Sequence, residues 1–112
     1  MARLNYRQIM DALAKREPFT GNSMWADYVD TRRTLNTGIM DNLDAAWFRR
    51  DQQAAHDGMH GFYVVYSYAT PIAWAYGDTV CVPDAKYSRT TSAQQTLARS
   101  CLPLSVATKE RG

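Results

Sequence analysis

The segment GFYVVYSY, residues 61–68, limits the possible folds of this chain more than any other feature. β-branched and aromatic residues dominate it, and no proline or glycine interrupts it after its first residue, which is typical of a β-strand. Alternation assigns its side chains to two faces, one with Phe62, Val64, Tyr66 and Tyr68 and the other with Tyr63, Val65 and Ser67. We expect the first face to be core, and we expect Tyr63 and Val65 to form an exposed apolar strip that could bind protein or nucleic acid.

Two more strands are predicted directly after this one. In TPIAWAY (70–76), large side chains alternate with alanines, and Pro71 marks a strand start or a sheet edge because it has no N–H to donate. Gly77-Asp78 is a two-residue hairpin turn, and TVCV (79–82) returns. We therefore predict an antiparallel three-strand meander near 62–82. The alternation within 23–29 is compatible with a further short strand.

Three helices are predicted, over residues 6–16, 42–56 and 92–101. Asn5 and Gln8 have the spacing of a capping box at the first helix, and Pro18 limits its end. Gly58 is a plausible stop for the second helix. Helices that flank antiparallel hairpins indicate an α+β fold, with the helices on one face of a small sheet.

The predicted core draws on all of these elements. Its members are Ile9, Leu13, Leu43, Trp47, Val64, Tyr66, Ile72, Trp74, Val80 and Leu97. On the second helix this choice follows a stripe that begins at Leu43 and continues through Trp47. The 112 residues suit one domain, 1–112, with a flexible tail from about residue 105.

Composition excludes several classes of protein. A net charge of +2 does not indicate a strongly basic nucleic-acid protein or an acidic DNA mimic. Two cysteines are few for a disulfide-rich secreted domain. The N-terminus lacks the apolar core of a signal peptide, and no apolar run is long enough to span a membrane. We therefore expect a cytoplasmic protein with reduced cysteines and no membrane partner.

The stretch KYSRTTSAQQ (86–95) carries four aliphatic hydroxyls among basic residues. Thr91 with Gln94 three positions later predicts a capping box, with Thr91 as the N-cap of the third helix. No capping role accounts for Ser88 and Thr90, and basic residues beside a helix N-terminus can also bind phosphate. The candidate binding residues are therefore Tyr63, Val65, Lys86, Ser88, Arg89 and Thr90.

Catalytic and metal-binding chemistry finds little support in the sequence. His56 and His60 have i, i+4 spacing, but Gly58 lies between them and no third ligand is evident nearby. Cys81 and Cys101 could meet if the third helix packs on the sheet, although buried, reduced packing is the simpler expectation. No nucleophile motif, Walker A loop or dinucleotide fingerprint is present. We predict no enzyme activity, no cofactor and no metal.

Two blocks of the chain resemble an uncharacterised family of small proteins from phages of actinobacteria. The hallmark Y-S-Y-x-T-P-I-A is found at 66–73, and K-Y-S-x-T-T-S follows a hairpin at 86–92. The upstream REPFTGNSM (16–24) is also similar to the family's N-terminal part. Members usually carry His-Gln where this chain has Gln94-Gln95. The resemblance implies a phage origin and a shared fold, and it implies no activity.

These observations lead to two hypotheses on function. The leading one is a non-catalytic phage accessory protein that binds a host or phage protein inside the bacterial host cell. The alternative is a nucleic-acid-binding accessory protein that places Arg32, Arg33, Lys86 and Arg89 on phosphates, together with an aromatic sheet face. The sequence leaves the oligomeric state open, and a homodimer is compatible with it.

Overall fold

The computed structural model describes residues 5–21, 23–35, 37–38, 40–83, 89–102 and 107–109. Within these residues the helices are α1 (Tyr6–Lys15), α2 (Asn42–Asp57) and α3 (Arg89–Cys101). The strands are β1 (Phe19–Thr20), β2 (Met24–Val29), β3 (Phe62–Ser67), β4 (Thr70–Tyr76), β5 (Thr79–Cys81) and β6 (Ala107–Lys109). They form one sheet in the order β1-β2-β3-β4-β5-β6. The predicted α+β class is confirmed.

The meander β3-β4-β5 is antiparallel, as predicted. Pro71 lies inside the sheet, opposite Tyr66, where the register shifts between Val65 and Tyr66. Such a bulge tolerates a proline away from the sheet edge because a ladder hydrogen bond is already interrupted there. Gly77 has a φ of 52°, the left-handed conformation that a tight hairpin turn requires.

Three strands extend the sheet beyond the meander. β2 pairs antiparallel with β3, which confirms the short strand expected near 23–29. β1 pairs with β2 at one edge and was not predicted. β6 pairs in parallel with β5 at the other edge, so these three residues form a strand within the tail that we predicted to be flexible.

The helices cover both faces of the sheet, whereas we predicted them on one face. The first core, here called the α1/α3 core, contains residues of α1 and α3 together with Tyr63, Val65 and Ala73. The second, the α2 core, contains residues of α2 together with Val64 and Trp74. The strands between them are therefore buried on both faces.

This arrangement corrects the predicted exposed strip. Tyr63 and Val65 are both fully buried, and every residue of β3 is at least largely buried. Tyr68 was assigned to the core, but it follows β3 in a turn, with a φ of 54° and an exposed side chain. Consecutive valines at 64 and 65 are the local sign of a strand that packs on both faces.

The predicted stripe on α2 is also wrong in part. Leu43 is exposed and Trp47 is half-buried, whereas the buried residues are Asp44, Ala45, Phe48, Asp51, Gln52 and Ala55. The prediction from this stripe was wrong because it assumed that the polar residues of the helix face water. Buried polar side chains are tolerated where they have hydrogen-bond partners, and those partners come from elsewhere in the chain.

The remaining core assignments are largely confirmed. Leu97 packs against the α1/α3 core and is partly buried. The fully or largely buried members of the predicted set are Ile9, Leu13, Val64, Tyr66, Ile72, Trp74 and Val80.

Helix ends follow the sequence signals at α1 and α2, whereas α3 ends at the predicted residue 101 but begins earlier than predicted. Asn5 Oδ1 accepts from the Gln8 N–H at 2.9 Å, and Gln8 Oε1 accepts from the Asn5 N–H at 3.0 Å, so the predicted capping box is confirmed. Gly58 caps α2. α3 begins at Arg89, so Thr91 lies in its first turn, and the assignment of Thr91 as N-cap is wrong.

Candidate functional site

Two of the predicted binding residues, Tyr63 and Val65, are not on the surface. Tyr63 and Val65 are inside the sheet sandwich, and the Tyr63 hydroxyl donates to the Glu17 carbonyl at 2.7 Å. Burial, the largest cause, raises the pKa of Tyr63. Lys86 and Ser88 lie outside the described residues. The residues Arg89 and Thr90 are the first two of α3.

An open groove lies between α1, the start of β2 and α3. Its volume is about 270 Å³, and most of its lining is apolar. The lining residues are Tyr6, Ile9, Ser23, Met24, Ala93, Gln94 and Leu97. We call it the α1–α3 groove.

Local sequence explains both walls of this groove. The capping box places Tyr6 in the first turn of α1, where its ring is 67% exposed, and Ile9 is buried below it. On α3, Ala93 and Leu97 are one turn apart and therefore lie on the same side of the helix. Gly21 allows close packing at the base, because a Cβ there would come within 2.9 Å of Ile9 Cδ1.

A polar pair interrupts the apolar lining. Gln94 Nε2 donates to Ser23 Oγ at 2.7 Å, which links α3 to the start of β2. Gln94 Oε1 is buried and has no hydrogen-bond partner among the residues that the structure describes. Because a serine hydroxyl both donates and accepts, the amide can be turned over, and either of its ends can then bond Ser23. One polar atom of Gln94 is left unsatisfied in either orientation.

The groove lies on the same helix as the predicted hydroxyl stretch. Ala93 and Gln94 follow Thr90 within one turn, and Leu97 follows in the next. Sequence reasoning missed the groove because it explained Gln94 as the partner of Thr91 in a capping box. The combination of a glutamine with small and aliphatic residues at helical spacing was the signal that could have indicated it.

Basic residues gather on the α2 side of the sheet. A depression of about 210 Å³ is lined by Thr31, Arg32, Arg33, Thr34, Arg49, Gln52 and Gln53. We call it the arginine depression. Two of its lining residues, Arg32 and Arg33, are predicted phosphate contacts. A third arginine, Arg49, was not predicted from the sequence. α3, which begins at Arg89, packs on the other face of the sheet, and Lys86 lies outside the described residues.

The histidines and cysteines lie apart. His56 Nδ1 is 3.1 Å from Thr31 Oγ1, and the His60 ring packs near Gly77. Within the described ranges, no three metal-ligating side chains come together. Cys81 belongs to the α2 core and Cys101 packs on the α1/α3 core, so the sheet separates the two thiols. Burial raises the pKa of Cys101.

The fold is that of an α+β domain in which helices cover both faces of a mainly antiparallel sheet. A family of unknown function (DUF8033) matches residues 13–93, and the chain belongs to that family. The match includes β1 to β5, all of α2 and the start of α3. No curated protein and no solved structure matches the chain. In the described part of the chain, no helix has both the length and the apolar character needed to cross a membrane.

Proposed function

We propose that this chain is a non-catalytic interaction module that binds another protein through the α1–α3 groove. The observation that carries the proposal is the buried Gln94 Oε1, which lacks a hydrogen-bond partner among the described residues, in a largely apolar groove. An unsatisfied buried polar atom costs about 1–3 kcal/mol. A partner that supplies the complementary main-chain group, an N–H for Oε1 or a carbonyl for the amide turned over, removes that cost.

A polypeptide fits this groove better than a metabolite does. Small-molecule sites usually measure about 300–1,000 Å³ and enclose most of their ligand. The α1–α3 groove is smaller, at about 270 Å³, and it is open. It suits one anchoring side chain from a larger partner, with the partner's main chain close enough to bond Gln94. Central anchors of this kind contribute most of the affinity in protein interfaces.

The edges of the sheet support a groove rather than strand addition as the binding mode. β1 at one edge has two residues and β6 at the other has three. Short edge strands offer few main-chain groups for an added strand. The groove between two helices presents more apolar surface, including Tyr6, which is largely exposed.

The biological setting is part of the same proposal. The resemblance of 66–73 and 86–92 to small proteins of actinobacterial phages favours an accessory role in infection. A host or phage protein in the bacterial cytoplasm is then the expected partner. The second resembling block runs into α3, which also lines the groove.

Capture from an infected actinobacterial lysate, with two matched variants, tests this proposal. Ala93→Arg fills the groove from an exposed position of α3, and Ala46→Arg places the same side chain on an exposed position of α2. Captured proteins are quantified by mass spectrometry, and the leading one is purified for direct titration. We expect one protein to be lost with Ala93→Arg and kept with Ala46→Arg.

Equal capture by both variants would reject the groove as the binding site. A complex made only of this chain would identify a second copy as the occupant. Sedimentation of the purified wild type and of Ala93→Arg detects that case, because the variant would then be monomeric.

A further inference from the structure

Three arginines line one small depression on the α2 side of the molecule. Arg32 and Arg33 come from the loop after β2, and Arg49 comes from α2. Arg33 and Arg49 are exposed, and neither has an ion-pair partner among the residues described. Like charges gathered at one small site attract an anion, most strongly at low ionic strength.

Hydrogen bonds from a buried glutamine hold the loop in this position. The side chain of Gln52, which is 6% exposed, donates to the Arg33 carbonyl at 2.7 Å and to the Asp30 carbonyl at 3.2 Å. The loop is thereby fixed to the helix that carries Arg49. Anchored groups lose less conformational entropy when a ligand binds.

Asp30 orients Arg32 through two hydrogen bonds. Asp30 Oδ1 accepts from the Arg32 N–H at 2.9 Å and from Arg32 Nε at 3.3 Å. The pKa of Asp30 lies below its usual value. The main cause is the hydrogen bond from the main-chain N–H of Arg32, and the second is the bond from the Arg32 guanidinium. Asp30 is therefore a carboxylate near neutral pH. Both of its hydrogen bonds from this loop's arginines come from Arg32, and its coulombic attraction to Arg33 is the smallest of the causes that act on its pKa, so the guanidinium groups of Arg33 and Arg49 keep donors for an external anion.

We propose that the arginine depression binds a phosphate group, with Arg33 and Arg49 as its principal contacts. Guanidinium groups bind phosphate through paired N–H donors, and Thr31 and Thr34 line the same depression. The volume of about 210 Å³ suits one anionic group rather than a whole nucleotide. This site is separate from the α1–α3 groove and goes beyond the proposed protein binding.

The phosphate can come from a small molecule or from a nucleic-acid backbone. Three probes distinguish these sources: inorganic phosphate, adenosine monophosphate and a labelled single-stranded oligonucleotide. The first two are titrated by thermal unfolding against chloride at equal ionic strength, because a ligand of the folded state raises the midpoint. The oligonucleotide is followed by fluorescence anisotropy at several salt concentrations.

The test variant is a double variant that combines Arg33→Gln with Arg49→Gln, and Arg50→Gln is the control. Arg50 lies beside Arg49 on α2 but does not line the depression, so Arg50→Gln removes one nearby charge and is the charge-matched control for Arg49→Gln alone. We expect the double variant to bind the effective probe about tenfold more weakly or worse, and Arg50→Gln to bind within about twofold of wild type. If the double variant does not fold, Arg49→Gln alone provides the test.

Each outcome decides the proposal. A midpoint rise with phosphate or the nucleotide that depends on Arg33 and Arg49 supports a small-molecule source. Binding only of the oligonucleotide, with a log–log salt slope that falls by roughly 0.7 for each arginine removed, supports a nucleic-acid backbone. No binding of any probe, or an equal loss with Arg50→Gln, overturns the proposal. Ala93→Arg should keep phosphate binding, which separates this test from that of the groove.

Discussion

The two faces of the sheet are buried by helices of different chemistry. α1 buries only apolar residues, namely Ile9, Ala12 and Leu13. α2 buries Asp44, Asp51 and Gln52 alongside its apolar residues. Hydrophobic periodicity therefore locates the buried face of a helix reliably only where the sheet surface beneath that face has no polar groups that need a hydrogen-bond partner.

The polar face of α2 is matched by aromatic donors on β4. Asp51 Oδ2 accepts from Trp74 Nε1 at 2.8 Å, and Asp51 Oδ1 accepts from the Tyr76 hydroxyl at 3.1 Å. Both bonds are buried, and each satisfies a group that would otherwise be costly to bury. The carboxylate and the two rings therefore have to be placed together.

The largest loss of stability should come from a substitution of Phe48, which lies on the observed buried face of α2 and not on the predicted one. Phe48 is fully buried, with ring centroids 4.9 Å from Trp74 and 5.5 Å from Phe62. Phe48→Ala should cost about 3–5 kcal/mol of unfolding free energy in urea titrations. Leu43→Ala, on the exposed side, should change it by less than about 0.5 kcal/mol. A larger loss at Leu43 than at Phe48 would reverse the assignment of the faces.

The next effect concerns the buried carboxylate. Asp51→Ala leaves two buried donors, on Trp74 and Tyr76, without their acceptor and should cost about 2–4 kcal/mol. Asp51→Asn keeps an acceptor oxygen and should cost less. On α1, Asp11→Ala removes only an exposed ion pair with Lys15 and should have no measurable effect. Equal urea midpoints for the Asp51 and Asp11 variants would contradict a structural role for Asp51.

A further loss of stability should appear only at high pH. Burial is the largest cause that raises the pKa of Tyr66 and of Tyr76, each to about 12. An unfolded tyrosine has a pKa of about 10. The protonated hydroxyls therefore contribute stability below pH 10, and this contribution is lost as the pH rises towards 12.

Urea midpoints and tyrosinate absorbance between these pH values measure this effect. Tyr66→Phe and Tyr76→Phe should flatten the pH dependence that arises on the α2 face. Tyr63, on the α1/α3 side, also has a raised pKa. Tyr63→Phe should therefore flatten a separate part of the curve. Full ionisation of all three hydroxyls near pH 10 in the folded protein would contradict their burial.

The smallest effect compares the ends of α1 and α2. Arg16 and Met59 both have left-handed backbones, with φ values of 51° and 56°. Met59 is 93% exposed, so Met59→Gly should relieve strain and stabilise the fold by roughly 0.5–1 kcal/mol. Arg16 Nη1 donates to the Gly77 carbonyl at 2.9 Å, so Arg16→Gly loses a contact and should gain less. A greater rise in the urea midpoint with Arg16→Gly than with Met59→Gly would contradict a stabilising role for this hydrogen bond.

Local features of the sequence determined the meander, the turn at Gly77 and the capping box at Asn5. Each depends on residues close together in the chain: a β-branched run, a glycine in a hairpin, and two polar side chains three positions apart. The arginines at 32 and 33 could also be identified as basic residues in a polar loop. Arg49, which lines the same depression, could not be joined to them, because it is 16 positions beyond Arg33.

Tertiary structure decided which helix covers which face, and with it the location of the candidate sites. The sequence could not show that Tyr63 and Val65 lie beneath α1 and α3, because a strand buried on both faces and one exposed on one face can both contain adjacent apolar residues. It could not place Asp51 inside, because the donors that make its burial tolerable are more than 20 positions away on β4. The α1–α3 groove likewise exists only where two distant helices meet, since Gln94 and Ser23 are 71 positions apart.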